Sequence, residues 1–114
     1  AQAAAVAPKL RAGMVAVMHG PTGTARATGA GAAFTIAGKS GTAQRVRRRE
    51  GEEYDERRVA QNLRHQALFV AYAPAEAPRI AVAVVVEHGS SGSKAAAPVA
   101  RRILDSWLQR EQAP

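Results

Sequence analysis

Lys39-Ser40-Gly41-Thr42 sets an ammonium and two hydroxyls within four consecutive positions, with a glycine between the hydroxyls. The run lies in Ala33 to Gln44, where Phe34, Ile36 and Gly38 alternate with Thr35, Ala37, Lys39 and Gly41, a pattern that predicts a strand with two unlike faces. Glycines inside a strand invite close approach of a second backbone or a ligand. The tetrad alone is weak, because short matches arise by chance and an exposed strand lysine is ordinary. Other candidate groups are weaker still. His19, His65 and His88 are dispersed without ligand spacing, and cysteine is absent, so neither a metal nor another cofactor is expected. Glu87 and Asp105 form no evident acid–base pair and read as structural or solvated.

The elements that must position the tetrad follow from periodicity. Leu10, Met14, Val17 and Met18 recur at helical spacing, which predicts a short amphipathic helix over 8–18, with Pro8 in its first turn and Gly20 ending it. The stretch 20–31, GPTGTARATGAG, reads as a loop. After the strand, the mixed-charge stretch 45–66 reads as a polar hairpin excursion, with some helix around Glu56 to Arg64. Ala67 to Ala73 and Ile80 to Glu87 are apolar runs separated by a short Pro-containing turn. They predict an antiparallel hairpin buried on both faces. Val99, Ile103, Leu104, Trp107 and Leu108 follow a helical period, with Pro98 in the first turn, so a second amphipathic helix packs on the sheet. The order gives an α+β fold: a three-stranded antiparallel sheet with flanking N- and C-terminal helices in one domain over 1–114.

Composition narrows the function classes. Sixteen Lys+Arg against nine Asp+Glu give a formal charge of +7, which would suit a polyanionic partner. Yet Arg45, Arg47, Arg48 and Arg49 share their stretch with Glu50, Glu52, Glu53, Asp55 and Glu56, and the aromatics are not interleaved as base-stacking platforms. No nucleic acid is therefore expected. No window approaches ~18 consecutive apolar residues, so no membrane segment is expected in this chain. The start, Ala-Gln-Ala-Ala-Ala without Met, suits a piece of a longer parent.

Taken together, AGKSGTAQ at 37–44, ALFVAYAP at 67–74 and RIAVAVVVEHGSSGSKAAAPVARRILD at 79–105 resemble, in order and spacing, the end of class B penicillin-binding proteins. GTAR at 23–26 and the VVVEHG turn resemble the elongation type, the penicillin-binding protein 2 group. The resemblance implies a C-terminal portion of the penicillin-binding and serine β-lactamase-like transpeptidase fold. It also implies a parent that cross-links peptidoglycan stem peptides ending in D-Ala-D-Ala through a serine acyl-enzyme, and that β-lactam antibiotics block. By the same resemblance Ser40 and Thr42 donate hydroxyls to the substrate carboxylate and Lys39 supplies positive charge. Gly41 lets the substrate backbone approach, and the Thr42 backbone N–H is one oxyanion-hole donor. Lys39 and Thr42 are thus the catalytic candidates, and Lys39, Ser40, Gly41 and Thr42 the substrate-binding ones. The parent is expected at the periplasmic face of the cytoplasmic membrane, beside a membrane glycosyltransferase of the elongation machinery.

The sequence departs from the family pattern in one respect. No Ser-x-x-Lys or Ser-x-Asn box precedes the strand, and Asn62 has no serine two positions before it. Ser91-Gly92-Ser93-Lys94 spells the first box but follows the strand in a Gly-rich turn, where Ser91 or Ser93 capping the last helix is the expectation. The chain alone should be inactive. Two alternatives stay open on sequence: a basic nucleic-acid or anionic-surface binding module, which predicts steep salt dependence, and a fragment of a serine β-lactamase or carboxypeptidase, which the upstream sequence would discriminate.

Overall fold

A computed structural model describes residues 2–43, 66–87 and 91–112. Of the expected excursion over 45–66, residues 45–65, with Asn62 and His65, lie outside the described residues, as does the turn residue His88, whereas Gln66 belongs to the strand that follows. The elements are α1 (Gln2–His19), α2 (Arg26–Gly29), β1 (Ala37–Ala43), β2 (Gln66–Ala73), β3 (Ile80–Val86) and α3 (Ala97–Gln112), the last preceded by a wide π-type turn at Gly92–Ala96. The strands form one antiparallel sheet in the order β1-β2-β3, as the alternation and the short hairpin turn required.

Register explains which face is buried. Residues directly opposite across an antiparallel pair share a face, and Ser40, Phe69 and Val84 stand in one row while Lys39, Val70 and Ala83 stand in the next. On the first face Ala67, Phe69, Ala71 and Ala73 pack with Met18 of α1 and Ala100, Leu104 and Leu108 of α3 in one core cluster. Removing Phe69 from water alone contributes about 2–3 kcal/mol. The other face is open among the described residues, with Val70 47% and Val85 56% exposed.

That openness corrects the expectation that both hairpin strands are buried on two faces. In β3, Ala81, Ala83 and Val85 are exposed and alternate with half-buried Ile80, Val82, Val84 and Val86. IAVAVVV is apolar at every position, so its pattern carries no parity and cannot announce an open face. Helix α1 also differs from expectation. It begins at Gln2, well before Pro8, which sits inside the helix. Alanines at 3, 4, 5 and 7 favour the helical state strongly enough to extend it through the site where Pro8 removes one N–H. Only its C-terminal part meets the core: Met18 is buried, while Leu10, assigned to the apolar stripe, is 64% exposed.

Candidate functional site

The segment that leads into β1 is fastened from three directions. Helix α1 ends at His19, whose Nε2 accepts a 3.0 Å hydrogen bond from the Ile36 N–H, one residue before the strand. From the hairpin turn, the Ala75 N–H donates to the Thr35 carbonyl at 2.8 Å. From α3, Arg101 Nη1 donates to the carbonyls of Thr28 at 2.6 Å and Ala30 at 3.0 Å, while its Nε donates to Asp105 Oδ2 at 2.8 Å. A guanidinium suits this task because its planar fork serves several acceptors at once. His19, which the sequence showed only as lacking ligand spacing, and Asp105, read as structural or solvated, therefore both brace the route to β1. The i,i+4 spacing of Arg101 and Asp105 was visible in the sequence, but its partners more than seventy residues away were not.

Strand β1 is an edge of the described sheet, and it carries the tetrad. Its register puts Lys39 and Gly41 on the open face, opposite Val70 and Leu68, and Ser40 and Thr42 on the helix-covered face, opposite Phe69 and Ala67. The four side-chain positions are therefore divided between two faces and meet only along the edge. Lys39 and Thr42 are exposed, and Ser40 is half-buried. Lys39 Nζ reaches the Ser40 carbonyl at 2.7 Å, so that oxygen is held by the side chain of its neighbour. Backbone groups of successive strand residues alternate between the two flanks. The Ser40 carbonyl and the Thr42 N–H therefore share one flank of β1. An ammonium, two hydroxyls and strand N–H groups can together hold an extended peptide that ends in a carboxylate.

Glycine is required at two neighbouring positions for packing reasons. A Cβ on Gly38 would stand 2.8 Å from the Phe69 ring and 3.2 Å from Met18 Sδ. A Cβ on Gly92 would collide with the backbone oxygens of Leu68 and Gly41 and stand 2.9 Å from the Gly41 nitrogen. At Gly41 itself the nearest atom to a Cβ would be Leu68 Cβ at 3.7 Å, an ordinary contact. Nothing packed around Gly41 within the described residues excludes a side chain there.

The Ser91-x-x-Lys94 match resolves differently from expectation. Ser91 occupies the position before the π-type turn, but neither it nor Ser93 caps a backbone N–H; their hydroxyls instead bond each other at 3.0 Å. The Ser91 carbonyl accepts the Ala95 N–H, as a residue flanking a helix start does, and the hydroxyl pairing with Ser93 stands in place of a side-chain cap. Pro98 does fall in the first turn of α3. Among the described residues no group of three or more His, Asp or Glu is arranged for a metal, and no helix is long and apolar enough to cross a membrane.

Comparison with known proteins identifies the family. A peptidoglycan D,D-transpeptidase MrdA of Haemophilus influenzae is 40% identical over 98 residues, covering 86% of this chain and 15% of the relative. A crystal structure of Pseudomonas aeruginosa PBP2 in complex with WCK 5153 superposes with a TM-score of 0.69 at 48% identity, over 90% of this chain and 19% of that one. A ceftriaxone acyl-enzyme complex of penicillin-binding protein A from Mycobacterium tuberculosis gives 0.64 at 35% identity, over 92% and 21%. The chain thus spans about a seventh of the MrdA relative's length. The penicillin binding protein transpeptidase domain matches residues 3–105, nearly the whole chain, and the chain belongs to that family.

Proposed function

We propose that this chain is the substrate-gripping C-terminal part of a peptidoglycan D,D-transpeptidase whose nucleophilic serine lies upstream in the parent protein. In that reaction a serine hydroxyl attacks the peptide carbonyl between the two D-Ala residues, releasing the terminal D-Ala. An amine of a second stem peptide then displaces the serine. Lys39 supplies charge for the terminal carboxylate, and Ser40 and Thr42 donate hydroxyls to it from the covered side of the edge. Thr42 N–H donates to the oxyanion, a contribution typically of about 3 kcal/mol. The carrying observation is Gly41. It stands on an edge of the described sheet, where nothing among the described residues requires glycine, and close approach of a ligand backbone would.

A β-lactam presents the same pairing of reactive carbonyl and carboxylate, and the ceftriaxone acyl-enzyme of the mycobacterial relative supports that ligand class. The parent would work at the periplasmic face of the cytoplasmic membrane, with a membrane glycosyltransferase as partner.

The test is the acylation rate of the full-length parent with a fluorescent penicillin. Lys39→Ala should slow acylation at least tenfold, whereas Arg102→Ala, on the exposed side of α3, should leave it within about twofold, since roughly 1.4 kcal/mol separates each factor of ten. Equal effects from the two changes would refute the assignment.

A further inference from the structure

The turn at Gly92–Ala96 lies on the helix-covered side of the sheet, with Ala96 in the core cluster beside Phe69. Its first residue is seated directly on the backbone of two strands. A Cβ at Gly92 would come within 2.9 Å of the Gly41 nitrogen and closer still to the Gly41 and Leu68 carbonyl oxygens. Gly41 and Leu68 are register partners, so Gly92 sits on the link that holds the edge strand to the rest of the sheet. Backbone atoms cannot rotate aside as a long side chain can, so any larger residue forces the turn and the paired strands apart, and a displaced β1 moves toward the open face.

We propose that Gly92 is a positioning residue for the substrate strand: the bare backbone at 92 sets the depth of Gly41, and through it the direction of the Thr42 N–H. The proposal rests on the assignment of Lys39 to Thr42 as the substrate grip. It gives the Gly-rich turn, which the sequence offered as a capping site, a function on the edge strand rather than on the helix it precedes. The consequence is specific to chemistry. The displacement needed exceeds a few tenths of an ångström, since two backbone oxygens stand well inside contact distance of that Cβ, and a shift of that size spoils an oxyanion donor before it unfolds a seven-residue strand pairing.

The experiment uses the full-length transpeptidase with Gly92→Ala. Active-site titration with a fluorescent penicillin counts folded, competent enzyme, and stopped-flow saturation kinetics separate ligand affinity from the first-order acylation constant. The expected result is a first-order constant lowered about tenfold in the titratable fraction, with affinity changed less than threefold. A merely structural role would reduce the titratable fraction and leave its rate constant at the parent value, and that outcome overturns the proposal. If Gly92→Ala yields no folded enzyme, Ser93→Ala decides. It breaks the Ser91–Ser93 hydroxyl bond without adding bulk, and should lower the same constant about twofold to threefold; an unchanged constant would sink the idea. Lys39→Ala runs beside both. Should it leave acylation unaffected, the grip assignment itself is wrong; should it alone slow acylation, only the role of Gly92 fails.

Discussion

Gly38 and Gly41 stand three positions apart on the same strand and are glycine for opposite reasons, and the difference is measurable. At Gly38 an added methyl meets the buried Phe69 ring at 2.8 Å. Gly38→Ala should therefore destabilise the parent by about 1–3 kcal/mol, read as a lowered unfolding midpoint, with acylation of the folded fraction little changed. Gly41→Ala should leave the midpoint in place or raise it slightly, since alanine loses less backbone freedom than glycine in a strand. Its cost should appear in acylation, as a fall of tenfold or more. If Gly41→Ala instead lowers the unfolding midpoint and leaves acylation of the folded fraction intact, the ligand-approach argument is wrong. The tetrad was legible in sequence because type and spacing define it. The reason for each glycine was not, because a missing side chain carries no record of what would have struck it.

The loose-looking segment between α2 and β1 is held by elements distant in sequence. Arg101→Ala removes both Nη1 hydrogen bonds to the Thr28 and Ala30 carbonyls and the Nε bond to Asp105. Hydrogen exchange should accelerate at Ala30 and Ala32, whose N–H groups bond the carbonyls of Arg26 and Gly29, by about tenfold. Arg101→Lys should restore little, since one ammonium cannot reproduce the fork. Unaltered exchange would show the contacts to be incidental. The exposed pair Arg79–Glu111 joins the hairpin turn to the end of α3, and its loss should cost less than about 1 kcal/mol. Element type and order were readable from periodicity: helix, strand, hairpin, helix. Faces and ends were less so. Uniformly apolar β3 hides its parity, and the alanines before Pro8 extend α1 past the residue expected in its first turn. The short helix Arg26–Gly29 was absorbed into a Gly-rich loop because four residues carry no period to detect.

As a whole, the 114-residue chain carries the Lys39-Ser40-Gly41-Thr42 run with no Ser-x-x-Lys box before it. The isolated chain should show no covalent mass increase after incubation with a fluorescent penicillin, whereas labelling mapped to any residue, Ser91 included, would overturn that expectation. It should also self-associate. Strand β3 is the far edge of the described sheet, has neither Pro nor charge between Ile80 and Val86, and borders the apolar open face. Light scattering over a dilution series should give a mass that rises with concentration; a constant monomer mass would show that the edge is already satisfied. The placement of Gly92 and Arg101 against residues 28–41 has a further consequence, for the order of synthesis. A ribosome delivers the tetrad first and the residues that back it roughly fifty to seventy residues later, on the order of several seconds of translation. A premature stop codon between residues 44 and 91 would thus release a polypeptide that contains Lys39-Ser40-Gly41-Thr42 intact and yet lacks what shapes it. Sequencing such an allele would report a complete motif in a protein unable to use it.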